Sequence, residues 1–178
     1  QETPQGDAEV LVCGDGVVVA RRRDGTGYAH WSLSFNNNAP AYLSYLLDID
    51  RLHTYQQAGC GFMTSQGDTY PMSGSTGLGV YFQQVFSRAE YDVVLVLSDG
   101  SESFQRREGT RFVPVPLTDV LDQVLDFKTL THGFIKRRVG RFLTRFCAEN
   151  GWQHNDDFAV AGMVLDSPSR GSTSAPEA

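Results

Sequence analysis

Three acidic turns hold the residues of this sequence best suited to chemistry. Val93–Leu97 is an unbroken apolar run that stops abruptly at Ser98-Asp99-Gly100. Gly14-Asp15-Gly16 divides two further apolar stretches, and Asn155-Asp156-Asp157 stands directly before the last one, residues 158–165. An isolated carboxylate beside apolar mass is costly. It persists when it closes a turn, pairs with a cation or ligates a metal. For any single Asp-Gly the turn is the commoner reason. The same device at three strand ends supports a second reading, in which the acidic turns converge on one rim of a sheet. Hard divalent ions such as Mg²⁺ and Mn²⁺ take oxygen ligands, often one or two carboxylates plus waters.

The elements that must position these turns follow from periodicity. Residues 9–13 and 17–21 read as strands around a hairpin-like break at Gly14–Gly16, and the aromatic-rich 27–35 as a third strand. Residues 78–87 and 91–98 continue the strand pattern, and 158–166 closes it. The continuous apolar runs 93–97 and 158–165 are expected to be covered on both faces. Residues 36–76 are rich in Asn, Gly, Ser and Gln, with one apolar stretch, 39–52, that fits either a short helix or irregular chain. Leu117, Val120, Leu121, Val124 and Leu125 fall at helical spacing, with Thr118 as the expected cap. Along 132–150, Phe134, Ile135, Val139, Phe142, Leu143 and Phe146 share one face and Arg137, Arg141 and Arg145 the other. Strands first, two helices late and one strand last predict an α+β or layered α/β fold.

Composition bounds the class. A chain of 178 residues, 40% hydrophobic, suits one globular domain. Its expected limits are a frayed N-terminus over 1–8, a body over 9–166 and a disordered tail over 167–178. The net charge of −6 argues against a general nucleic-acid binder and suits a protein that holds cations. Cys13, Cys60 and Cys147 are odd in number and widely spaced, which fits neither a disulfide framework nor a zinc site and points to a reducing, cytoplasmic setting. No apolar run reaches the roughly 20 residues of a membrane span, and no secretory segment is visible. The start at Gln1 is what a processed or partial chain would show.

Several other features have competing readings. Arg21–Arg23 and the arginines of 134–149 could bind anions of a phosphoprotein, but long cationic stems more often cover a solvated face. Cys13 fits a small core residue better than a reactive thiol. His132 fits a helix start and His154 a surface loop, ahead of catalytic or ligand-supporting roles. The glycines of 76–84 lack the spacing of a phosphate loop or a dinucleotide fold. Trp31, Phe35, Tyr42 and Tyr45 read as packing, and the Asn-rich turn 35–40 as a solvent loop or a flap.

Taken in order, the acidic turns resemble the metal-dependent serine/threonine protein phosphatases of the type 2C family. VVLVLSDGSESF, 93–104, is similar to that family's apolar strand ending in Ser/Thr-Asp-Gly. NDDFAVAGMVLD, 155–166, is similar to its terminal acidic pair and strand, and VLVCGDGVVVARR, 10–22, to its Gly-Asp hairpin. The resemblance covers about 9–166. It implies a layered α/β/β/α sandwich holding two or more Mg²⁺ or Mn²⁺ ions at one end. Carried over by motif, Asp99 and Asp156 would be metal ligands and Asp15 would lie near a weaker ion, with Asp157 tuning the ligand beside it. The implied chemistry is in-line attack by metal-bound water on a phosphoserine or phosphothreonine of a protein substrate, without a cysteine nucleophile. Neither nucleic acid nor a membrane would be a partner.

The family's first third has no counterpart here. An early Arg…Asn-Glu-Asp motif and an Asp-Gly-His-Gly motif, with the carboxylate that bridges the central metals, do not occur in residues 1–13 or later. The sandwich would thus lack its N-terminal strands, leaving apolar edges unpaired. Three arrangements are open. The missing third lies on a second chain, it belongs to a longer protein, or the domain is a catalytically inactive relative that acts as a regulator or scaffold.

Overall fold

The computed structural model describes residues 6–35, 40, 44, 47–58, 62–64, 69–70, 81–131 and 133–165. The chain is mixed α+β, with antiparallel sheets and helices. Its centre is the pair β2 (Gly16–Arg22) and β7 (Tyr91–Leu97), antiparallel with Val17 opposite Leu97. These strands belong to a six-stranded sheet that runs β11 (Val160–Val164), β7, β2, β3 (Tyr28–Phe35), β4 (Phe62–Thr64), β5 (Thr69–Tyr70). Val17, Val18, Val19 and Ala20 are wholly buried, as are Val93 and Leu95. Strict alternation divides them between two cores. Val18, Ala20 and Val94 face one side, against Phe82 and Phe86 of β6 (Phe82–Phe86), Ala8 and Val10 of β1 (Ala8–Val12), and Tyr55 of α1 (Ile49–Gln57). Val17, Val19, Val93 and Leu95 face the other, against α2 (Leu117–Leu125) and Phe142.

The break at Gly14–Gly16 is not a hairpin. β1 leaves the sheet and pairs with β6, Ala8 opposite Phe86, while β2 pairs with β3 and β7. The physical reason lies at Gly16, whose φ is +136° and where a Cβ would stand 2.4 Å from the Leu97 carbonyl oxygen. Only glycine permits that corner.

The last strand also departs from expectation. β11 pairs with β7 and ends the sheet order, and Ala161 and Gly162 are exposed, so it is an edge strand covered in part. Its apolar run reflects packing against β7 and the helices through Val160 and Val164. Thr118 does not cap α2; Pro116 takes that position without a side-chain hydrogen bond, and its carbonyl accepts from the Asp119 amide at 3.0 Å. The helix expected over 132–150 forms as α3 (Phe134–Arg141), a π-helical segment at Phe142–Phe146 and a final turn, α4 (Cys147–Asn150). Its arginines 137, 141 and 145 are exposed and Phe142 is buried, as the periodicity requires. α1 begins only at Ile49, because the Asp48 carboxylate accepts from the Arg51 amide at 3.2 Å and starts the helix there.

A third sheet had no forecast: β8 (Phe104–Glu108), β9 (Arg111–Pro114) and β10 (Trp152–His154), in the order β10-β8-β9. Its strands are charged and largely solvated, so they lack the apolar alternation by which strands are recognised. Phe104 is the exception. It is wholly buried, with Phe142 at 5.1 Å, His154 at 5.2 Å and Phe158 at 5.3 Å between ring centroids. Among the described residues, no helix is long and apolar enough to cross a membrane. The expectations for residues 1–5, the tail 167–178, Cys60, Tyr42, Tyr45, His132, Asn36–Asn38 and the glycines of 76–79 lie outside the described residues.

The thiols follow from burial. Cys147 is buried and its pKa is pushed up to about 11 by desolvation; burial raises Cys13 as well. Neither is a ready nucleophile. Replacing Phe104 by alanine removes the ring on which the third sheet is anchored. Unfolding in denaturant is expected to show a loss of about 3–5 kcal/mol; a loss below about 1 kcal/mol would mean that this ring does not hold that sheet.

Candidate functional site: an acidic rim at one sheet end

Antiparallel register decides which loops meet. Leu97, the last residue of β7, stands opposite Val17 at the start of β2 and opposite Val160 at the start of β11. The loops before β2, after β7 and before β11 therefore leave from the same end of the sheet. They carry Asp15, Asp99 and Asp156–Asp157.

Ser98 joins two of them. Its amide donates to the Ala159 carbonyl at 3.0 Å, its hydroxyl donates to the Asp157 carbonyl at 2.8 Å, and its Oγ accepts from the Ala159 amide at 3.0 Å. The chain then turns through one 3₁₀ turn, Asp99–Glu102. Gly100 is buried there, and a Cβ on it would lie 2.2 Å from the Asp157 carbonyl oxygen. Ser103 adds a second tie, donating to the Gly100 carbonyl at 2.8 Å while accepting from the Asn155 amide at 3.3 Å. His154 stacks on Phe104 and brings Nδ1 to 2.8 Å from the Asp156 carbonyl, so it braces the same loop.

The carboxylates themselves are engaged locally. Asp99 Oδ1 accepts from the Gly100 amide at 3.0 Å, and Asp156 Oδ1 from the Asp157 amide at 2.7 Å. Asp99, Asp156 and Asp157 are exposed and Asp15 is half-buried. Glu102, which the motif reading passed over, accepts from the Ser32 hydroxyl of β3 and extends the acidic rim across the sheet end. Its place three residues after Asp99, on the same short turn, was the available signal. Among the described residues, no group of three or more His, Cys, Asp or Glu side chains is close enough to hold a metal ion. The backbone gathers acidic turns, and their side chains close turns rather than a cage. Mg²⁺ wants near-octahedral oxygen coordination, so these residues alone do not complete a metal site.

Beneath the rim, Ser101 is wholly buried, and among the described residues its Oγ has no hydrogen-bond partner. The arginine cluster 21–23, at the other end of β2, is largely structural. Arg21 makes a forked pair with Asp92 at 2.8 and 2.9 Å, and Arg23 donates to the carbonyls of Arg88, Tyr91 and Leu165. The cleft beside them, about 310 Å³, is also lined by Asp92, Asp122 and Asp126, which makes it a poor anion site. Tyr28 on its wall has its pKa pushed up to about 12 by burial and by the nearby Asp122.

Compared with known proteins, the chain matches no family model, no curated protein and no solved structure.

Two neighbouring substitutions separate geometry from burial here. Gly100→Ala forces backbone away from the Asp157 carbonyl and is expected to cost about 1–3 kcal/mol. Ser101→Ala removes an unsatisfied buried hydroxyl and is expected to stabilise by about 1 kcal/mol. Denaturant midpoints read both, and a tolerant Gly100→Ala would mean that the two loops do not touch as described.

Proposed function

We propose that this chain is the greater part of a metal-dependent serine/threonine phosphatase domain of the type 2C kind, with the acidic rim as its catalytic end. The observation that carries the reading is the common exit of the Asp15, Asp99 and Asp156 loops at one end of the β11-β7-β2 sheet. It joins the ordered acidic motifs of the sequence, and two cores lying on opposite faces of that sheet fit a layered sandwich. In this reading Asp99 and Asp156 are ligands of Mg²⁺ or Mn²⁺ and Asp15 belongs to a weaker ion. The remaining ligands, including a bridging carboxylate, come from a segment other than the described residues. Such ions would supply a nucleophilic water and neutralise phosphoryl charge. What this chain's own residues do is narrower: Ser98, Gly100 and Ser103 hold the two acidic loops in fixed register. The substrate class is a phosphorylated protein.

A second reading has its own support. Two carboxylates that cap their own turns, with no group of three metal-binding side chains among the described residues, suit a phosphatase-like domain that regulates or scaffolds without catalysis. Mn²⁺-dependent hydrolysis of p-nitrophenyl phosphate by the full chain, with the segment that supplies the remaining ligands present, separates the two. Under the first reading Asp99→Asn lowers the rate at least about a hundredfold and abolishes the rise in melting temperature that Mn²⁺ produces. Activity that survives Asp99→Asn removes the proposed site. A domain inert with Mn²⁺, and unshifted by it in melting, leaves the scaffold.

A further inference from the structure

The eighteen residues 128–145 hold six of the chain's fifteen lysines and arginines and no acidic residue. The rest of the chain carries the other nine against all twenty-one acids. A protein of net charge −6 thus keeps one strongly positive segment. On a convex helix face such charge is commonly just solvated. Here it borders a cleft of about 170 Å³ between the turn at 126–129 and one face of α3, with Lys128, Arg137, Arg138 and Arg141 on its walls. Phe127 and Phe134, edge to face at 4.8 Å, supply apolar surface beside them.

Two of the four cations are already fixed. Arg137 donates to the Thr131 carbonyl at 3.1 Å and to Thr129 Oγ1 at 3.3 Å. Arg138 donates to the Gln123 carbonyl and side chain and pairs with Asp126 at 3.1 Å, which neutralises that carboxylate on the wall. A guanidinium held this way loses little further freedom when it meets an anion. Among the described residues, Arg141 and Lys128 make no ion pair, whereas Arg145, one turn on, is paired with Glu149 at 3.0 Å. Gly133 enters α3 with no side-chain cap, so the first-turn amides add partial positive charge.

We propose that this cleft binds a phosphate dianion, free or as the phosphoryl group of a peptide, at a site separate from the acidic rim. Forked guanidinium donors match phosphoryl oxygens, and the volume is below the roughly 300 Å³ at which pockets for larger small molecules begin, so a single compact anion fits. Separation follows from the sheet. The Arg21 guanidinium lies over Phe127 at 5.6 Å, and Arg21 is at the far end of β2 from Gly16, roughly 16 Å away at the rise of an extended strand. The cleft needs no metal. Its occupancy is independent of whether the rim is catalytic.

Titration calorimetry of the full chain in EDTA tests this, with inorganic phosphate, a phosphoserine peptide and the same peptide unphosphorylated as ligands. The double variant Lys128→Gln/Arg141→Gln alters two exposed side chains, and matched melting curves confirm that it folds. It is expected to weaken both phosphate-bearing ligands at least about tenfold, while Arg145→Gln leaves them nearly unchanged. Equal affinity for phosphate and phosphopeptide assigns the free anion as the ligand; tighter phosphopeptide binding assigns the peptide-borne group. Binding of the unphosphorylated peptide just as tightly, an equal loss in Arg145→Gln, or no phosphate binding at low salt would each overturn the proposal.

Discussion

The register of β7 between β2 and β11 is the constraint from which the rest of the molecule follows. Leu97 is buried and paired toward both neighbours, so the chain beyond it must turn, and it must do so where two other strands begin. Ser98 satisfies the turn by giving its amide and hydroxyl to the backbone before β11. Backbone groups at a covered strand end need such partners. Gly16 and Gly100 are there because carbonyl oxygens of Leu97 and Asp157 occupy the space a side chain would take. Asp15 and Asp99 stand next to these two glycines and inherit their position from them.

That origin explains the double character of the rim. The geometry concentrates negative charge at one sheet end, a feature that favours cations. Yet each of Asp99 and Asp156 accepts the amide that follows it, the ordinary behaviour of an aspartate in a turn. A metal would have to compete for oxygens that are exposed and only singly bonded, a small obstacle compared with the shortage of further ligands among the described residues. Turn chemistry is thus the use these side chains show, and under the proposed reading metal binding would depend on added ligands.

Charge is distributed along the sheet as well as across it. The acidic turns lie where β2 begins, and the basic helix lies beyond where it ends. At that second end Arg21 ties the sheet to the chain after α2: it pairs with Asp92, donates to the Leu125 carbonyl and covers Phe127. This partly buried, forked ion pair holds β2 to β7 better than an exposed pair such as Arg51–Asp48 could hold its neighbours.

Periodicity in the sequence determined the burial of individual residues. The run 93–97 announced a covered sheet centre, Leu117–Leu125 announced its helix, and the two faces of 134–150 were legible. The three acidic turns were likewise visible as turns. Pairing partners were not visible, because alternation records how much a residue is covered and not what covers it. Hence the departure of β1 to β6, the edge position of β11 and the charged sheet around Phe104 were decided only in three dimensions, by glycine corners and ring packing distant in sequence. The same holds for the rim. Local residues made each aspartate a turn former, and the antiparallel register of β2, β7 and β11 alone brought the turns to one end.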